Sequence, residues 1–308
     1  MPQQSSVIIT GASGALGSRI ALKLAALFPG QYYLVLAARN TSNQSTEQLS
    51  SQLQAAGALF TWEKLDLSSL AAVNDFTDRV LAAIAKKRIP ALYGLVNCAA
   101  IQMVPITKTV DGFDLETQTN VLAPMLLIQK LNSALEGGVV VNVSSSTHSI
   151  GEYDSFRNEH VSLDKSTGTV LSTPAALKKY GSTKLNLMMA GYALQRTERF
   201  ADIQMVSADP GGMSGSSRLA PEGRLALKMA QAAFVAMGPL LRLFFPSAIN
   251  PPEVPAAAFA NIIHQAKEQR MAAHYVIGES KESSPLSRDE TKQDEALAFV
   301  MEDLKKWL

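Results

Sequence analysis

Short β-branched runs alternate with longer amphipathic stretches over the first two thirds of the chain, and this alternation most restricts how it can fold. Strands joined through helices pair in parallel and bury both sheet faces. The pattern therefore predicts an α/β fold, a doubly wound parallel sheet of the Rossmann type flanked by helices. Val7 to Thr10 reads as the first strand and Ala15 to Phe28 as the helix after it. Tyr33 to Ala37, Leu59 to Leu65, Leu92 to Asn97, Gly138 to Ser144 and Ile203 to Ala208 supply five more strands. Helices are expected from near Glu47, from the N-caps Ser68 and Ser69 to about Lys87, over Asp114 to Leu135, and over Leu177 to Phe200.

Two segments interrupt the rhythm. Residues 148–179 are polar and longer than an ordinary connection, and 211–252 are bounded by Gly and Pro around an apolar run. No repeat and no second set of strand–helix units follows. Residues 1–308 are thus expected to form one domain, with a loop insertion at 148–179 and a substrate lid at 211–252. The run Ala226 to Phe245 reads either as a lid over an apolar pocket or as a membrane-surface helix.

Composition narrows the functional class. The net charge of +1, from 28 basic and 27 acidic residues, carries no nucleic-acid signal. The lone cysteine, Cys98, allows no internal disulfide and reads as a small buried hydrophobe, which fits a reducing compartment. No uninterrupted stretch reaches the roughly 20 apolar residues of a spanning helix. A cytoplasmic protein is expected; peripheral membrane contact and homo-oligomer formation are both compatible with the sequence. His148, His160, His264 and His274 stand far apart in sequence without ligand spacing, so no metal site is expected.

The turn after the first strand carries Gly11, Gly14 and Gly17 before a helix, the setting a dinucleotide-binding turn requires. Ser13 and Leu16 lie in the same turn, whose helix N-terminus favours phosphate. An NAD site places an acid near the end of the second strand. Here Tyr33 to Gln44 contains none, and Arg39 stands there instead. A guanidinium fork suits the 2′-phosphate of NADP(H); the other reading of Arg39 is a solvated loop residue.

Tyr180 and Lys184 are four residues apart, on one helical face and near that helix's predicted start. A nearby ammonium, together with a positively charged nicotinamide ring, is expected to favour the phenolate and bring the phenol toward useful proton exchange. On spacing alone the pair reads more readily as a surface feature.

Taken together, these residues resemble the short-chain dehydrogenase/reductase family along nearly the whole chain. Asp66-Leu67 resembles its adenine-contacting dipeptide, and Asn97-Cys98-Ala99-Ala100 its fourth-strand end. Thr119-Asn120-Val121 looks like the segment with the catalytic Asn, Asn142-Val143-Ser144-Ser145 like the strand end with the catalytic Ser, and Pro210-Gly211 like the nicotinamide-facing turn. The resemblance implies Tyr180 as general acid/base, Lys184 as its partner and ribose ligand, and Ser145 on the substrate oxygen. Asn120 would hold a helix irregularity and a water linking Lys184 to solvent. Gly11, Ser13, Gly14, Leu16, Gly17, Arg39, Asp66, Leu67, Asn97, Ala99, Tyr180, Lys184, Pro210, Gly212 and Met213 would contact the cofactor.

Within the family the retinol-dehydrogenase and WW-domain-oxidoreductase branch is most similar, through Leu34 to Asn40 with Arg39, Leu65 to Leu70, and more loosely the tail from Pro252-Glu253. Cys98 and Ala100 depart from the fourth-strand pattern, which questions its side-chain brace. Gly215 stands where a carboxamide-binding Thr is usual, with Ser214 and Ser216 as substitutes. The implied activity is NADP(H)-linked interconversion of a carbonyl and an alcohol on an apolar retinoid, steroid, lipid or polyketide-like substrate. A narrow natural-product tailoring reductase is the alternative. A catalytically silent NADP-sensing or scaffold protein is expected to have lost the Tyr or the Lys, and both are present.

Overall fold

The computed structural model describes residues 4–102, 105–154, 167–213 and 250–308. Most of the expected lid, with Ser214, Gly215, Ser216 and the apolar run, lies outside them, as do His160 and the middle of the 148–179 segment.

The described strands form one eight-stranded sheet in the order β3-β2-β1-β4-β5-β6-β7-β8. They are β1 (Ser5–Thr10), β2 (Tyr32–Ala38), β3 (Leu59–Lys64), β4 (Leu92–Asn97), β5 (Val139–Val143), β6 (Gln204–Asp209), β7 (His274–Val276) and β8 (Glu279–Ser280). Every pairing is parallel except β7 with β8. Alternating side chains feed two cores. Ile8, Val35, Leu95 and Val140 enter one; Val7, Ile9, Leu34, Val96 and Val141 enter the other. The expected doubly wound parallel sheet is what forms.

The helices are α1 (Ala15–Leu27), α2 (Gln44–Ala55), α3 (Leu70–Ala85), α4 (Leu115–Thr117), α5 (Ala123–Leu131), α6 (Thr173–Gln195), α7 (Glu253–Gln265) and α8 (Glu290–Leu304). Local chemistry starts several of them. Asn43 Oδ1 accepts the Thr46 N–H while Thr46 Oγ1 accepts the Asn43 N–H, a reciprocal cap on α2. Ser69 caps α3 through the Ala72 N–H.

The stretch from Asp114 to Leu135 is helical as expected, with a π-helical turn, Gln118–Leu122, centred on Asn120 between α4 and α5. One boundary needs correction: α6 starts at Thr173, not Leu177, with Pro174 in its first turn where a missing N–H costs nothing. Tyr180 therefore sits about two turns inside the helix rather than at its start.

Strand β1 lies between β2 and β4, so the chain's winding reverses there. A crevice opens at the carboxyl ends of such strands. The turns after β1 and β4 both face it.

Candidate active site

Gly11 has φ 64°, and a Cβ there would lie 2.9 Å from Ala99 Cα. A Cβ on Gly17 would lie 2.5 Å from the Gly11 carbonyl oxygen. Side chains at either place would force the turn away from β4 or α1 away from the turn. Gly14 is the N-cap of α1, without a side-chain cap and with no acidic residue in the first turn. The α1 N–H groups are thus left to an outside acceptor.

A cavity of about 410 Å³ runs from this turn along the ends of β2 and β3. Gly11, Ser13, Arg39, Asp66, Leu67 and Ala99 are in its wall. Arg39 is exposed at the rim and makes no hydrogen bond or ion pair among the described residues. Asp66 Oδ1 accepts both the Ser68 N–H and its Oγ–H, which fixes the carboxylate at the cavity edge. A mononucleotide with an extra phosphate fits this set: a glycine cradle, a helix N-terminus, a free guanidinium and an oriented acid.

The brace at the β4 end survives its sequence departures. Asn97 Nδ2 donates to Asn142 Oδ1 at 2.9 Å, tying β4 to β5. Thr10 Oγ1 accepts the N–H groups of Cys98 and Ala99, so backbone supplies what the replaced side chains do not. Cys98 itself is half-buried rather than a core hydrophobe, because it already lies in the turn beyond the strand.

Lys184 is 2% exposed, and its Nζ donates to the Val143 carbonyl at 2.8 Å, directly before Ser144 and Ser145. The same Nζ lies 5.4 Å from the centre of the Tyr180 ring. Burial pulls the ammonium down to about 8, against Cys98, Asp209 and Glu116, which hold it up. The Tyr180 phenol moves upward in the chain alone. Burial, then Glu116, Asp209 and Cys98, push it well above its ordinary value. The single nearby ammonium does not outweigh that desolvation in the chain alone.

Asn120 does reside on a helix irregularity. Its Oδ1 accepts the Ile101 N–H, and its Nδ2 donates to the Ile101 carbonyl and to Thr183 Oγ1, at 2.9, 2.9 and 3.1 Å. It therefore joins the turn after β4 to the helix carrying Tyr180 and Lys184. Ser145 caps the 3-10 turn Ser146–Ile150, its Oγ accepting from Thr147 N–H and Thr147 Oγ1.

That turn packs on α6 backbone to backbone. A Cβ on Gly181 would lie 2.2 Å from the Thr147 carbonyl oxygen, and one on Gly151 would lie 2.6 Å from the Gly181 carbonyl. Tyr180, next to Gly181, is thereby fixed against the segment that begins at Ser145. Beyond β6, Gly211 (φ 67°) donates its N–H to Asp209 Oδ1, turning Pro210, Gly212 and Met213 across the strand ends. Met213 pairs with Asn250, and the Asn250 N–H reaches the Gly212 carbonyl, closing the two ends of the interrupted segment on each other.

A sequence model described as short chain dehydrogenase matches residues 5–154, the stretch that holds the glycine turn, the cavity wall, Asn120 and Ser145. The chain belongs to the short-chain dehydrogenase family. This dehydrogenase is 26% identical to a polyprenol dehydrogenase of Danio rerio, over 95% of its own length and 85% of the relative's. It is 32% identical to retinol dehydrogenase 12 of Mus musculus, over 47% of its own length and 45% of that protein's. A solved alcohol dehydrogenase of Thermococcus sibiricus complexed with 5-hydroxy-NADP has the same fold, with a TM-score of 0.59 at 18% identity, covering 91% of this chain and 100% of that one.

Several features of this short-chain dehydrogenase site escape sequence reading. The Thr10 acceptor, the Gly151–Gly181 contact and the partners of Asn120 are all contacts between distant segments. A buried cluster of Asp114, Glu116 and Lys179 looks in sequence like ordinary solvated charge. His148 and His274, far apart in sequence, come within 5.5 Å because β7 lies alongside β6, yet no group of three or more possible metal ligands is found among the described residues. Among the described residues no helix is long and apolar enough to cross a membrane.

Proposed function

We propose that the chain is an NADP(H)-dependent oxidoreductase, folded as a single domain, that interconverts a carbonyl and an alcohol on an apolar substrate. The observation that carries this reading is a desolvated Lys184 held by the end of β5 close under the Tyr180 ring, beside a crevice shaped for a nucleotide. A buried lysine without such a task is costly to keep.

Gly11, Ser13, Gly14, Leu16 and Gly17 would hold the pyrophosphate, Arg39 the 2′-phosphate, and Asp66 with Leu67 the adenine. Asn97, Ala99, Lys184, Pro210, Gly212 and Met213 would line the nicotinamide half. Bound there, the cofactor supplies the hydride. Tyr180 gives the carbonyl oxygen its proton in reduction and takes the hydroxyl proton in oxidation. Ser145 donates a hydrogen bond to the same oxygen, and Asn120 keeps α6 in register with the β4 turn.

The names of the relatives, polyprenol dehydrogenase and retinol dehydrogenase, support an isoprenoid alcohol or its aldehyde as the substrate class. Following NADPH oxidation at 340 nm with polyprenals, retinals, ketosteroids and polyketide-like ketones tests this directly. Turnover should be highest with the isoprenoid aldehydes. NADPH binding with no oxidation across the panel would reject the oxidoreductase reading in favour of a sensor or scaffold.

For the cofactor, NADPH should bind at least about tenfold more tightly than NADH, since a charge-assisted guanidinium–phosphate fork contributes about 1.5–3 kcal/mol. Arg39→Asp should reverse the preference in fluorescence titrations. Equal affinities in the unsubstituted chain would remove Arg39 from this role.

A further inference from the structure

His148 is a buried side chain to which the proposed chemistry gives no task. It stands in the 3-10 turn that Ser145 caps, and both of its ring nitrogens are engaged. Nδ1 lies 2.7 Å from the Ser145 carbonyl oxygen. The Ser284 N–H, from a residue 136 positions further on, donates to Nε2 at 3.2 Å. A carbonyl oxygen only accepts and an amide N–H only donates. Together the two contacts require a neutral imidazole with its proton on Nδ1 and a lone pair on Nε2.

The segment that presents Ser284 is itself firmly built. Ser287 Oγ donates to the Ser284 carbonyl, and Gln293 Nε2 of α8 donates to the Ser287 carbonyl, both at 2.7 Å. His274 of β7 meets the His148 ring edge-on, with centres 5.5 Å apart. Just beyond the 3-10 turn, the Tyr153 hydroxyl donates to Glu295 Oε2 of α8 at 3.0 Å. Parts of the chain that lie outside the family match over residues 5–154 thus enclose the segment that begins at Ser145.

The inference rests on the reading of Ser145 as donor to the substrate oxygen: we propose that His148, locked as its Nδ1–H tautomer by the Ser284 N–H, is a positioning residue that holds the Ser145 carbonyl and so fixes where the Ser145 hydroxyl points. That carbonyl also receives the backbone N–H of His148, at 3.0 Å. Two donors on one carbonyl fix the peptide plane after Ser145, and with it the extended backbone (ψ 148°) from which Oγ projects. The ring is rigid, so no rotatable bond separates the nitrogen that Ser284 engages from the one that holds Ser145. A displacement of about 1 Å in such a group can cost about 10²-fold in rate.

The test first reads the tautomer, by two-bond proton–nitrogen correlations in the full chain with isotope-labelled histidine. At about pH 8, above the ordinary imidazole value of about 6.5, His148 should carry its proton on Nδ1, the form a free side chain populates less. A proton on Nε2 overturns the proposal, and no variant has to fold for that result. Turnover then separates positioning from packing. His148→Asn places an amide nitrogen where Nδ1 was and needs no tautomer, so kcat should stay within about threefold of the parent. His148→Gln carries its amide one bond further out, toward Ser284, and kcat should fall about 10–100-fold. KM should change less than kcat, because the Ser145 bond strengthens as charge develops on the oxygen. Each variant leaves one former ring partner unpaired, so a packing role alone predicts equal losses. Equal losses, or a Gln variant as fast as the parent, overturn the proposal. Absence of turnover in the parent would instead reject the oxidoreductase reading, while the tautomer is read without substrate.

Discussion

Tyr180→Phe should lower kcat by about 10²–10⁴-fold, the usual contribution of a positioned proton donor, while leaving NADPH affinity within a few-fold of the parent. The structural grounds for expecting so clean a separation are specific. Among the described residues no hydrogen bond uses the Tyr180 hydroxyl; Thr183 reaches only its carbonyl. The phenylalanine ring keeps its place near Lys184, and Gly181 still docks on Thr147. Fold and nucleotide crevice should therefore survive the loss of one oxygen. Steady-state rates at 340 nm with a turned-over aldehyde, beside NADPH fluorescence titration, measure the two effects. A variant retaining more than about a tenth of parental turnover would remove Tyr180 from proton transfer.

Lys184→Met should give effects of opposite sign on activity and stability. Turnover should fall by two orders of magnitude or more, because the phenol loses the cation that favours its ionised form. Stability at neutral pH should rise. In the native chain the ammonium titrates near 8, against 10.5 for an unperturbed lysine. Between those values the unfolded chain binds more protons than the native one, so parental stability climbs with pH through that window. Below it the buried charge costs on the order of 3 kcal/mol, at about 1.4 kcal/mol per pKa unit. Methionine removes that cost at similar volume. Leaving the Val143 carbonyl without its donor returns about 1–2 kcal/mol of it. The net gain at pH 7 should be about 1–2 kcal/mol, shrinking and then reversing above pH ~10. Denaturant melts of both chains at the two pH values isolate Lys184 from other titrating groups. A variant less stable than the parent at pH 7 would show that the charge is compensated in place.

Much of this was open to sequence reading, and the division has physical causes. Strands β1 to β6 are announced by short apolar or alternating runs between amphipathic stretches, and the glycine turn by its spacing after a strand. Strands β7 and β8 are three and two residues long, too short to display a period, and β7 is recognised only by its place beside β6. The early start of α6 is hidden because Thr173-Pro174 closes a Ser/Thr-rich polar stretch and reads as its end rather than as a first helical turn. Lys178 does face solvent with Glu152, but Lys179 turns inward to carboxylates more than sixty positions away in the chain. The burial of Lys184 leaves no local mark, since spacing to Tyr180 is the same on an exposed helix. Nor does composition foretell the π turn at Asn120, which depends on how α4 and α5 meet the β4 turn. The sequence shows Lys184 as a cation near the phenol; the carboxylates Glu116 and Asp209, which act against ionisation in the chain alone, become neighbours only on folding.

The contact of Gly151 and Thr147 with Gly181 also bears on how such a protein diverges. Between these anchors the polypeptide leaves at Gly151 and is back in α6 by Thr173, so changes in the intervening stretch need not be transmitted to the spacing of Ser145 and Tyr180. Selection can lengthen, shorten or rewrite that stretch while two glycines preserve the packing of the Ser145 segment on α6. Relatives with different substrates should then vary freely there and remain invariant at the glycines.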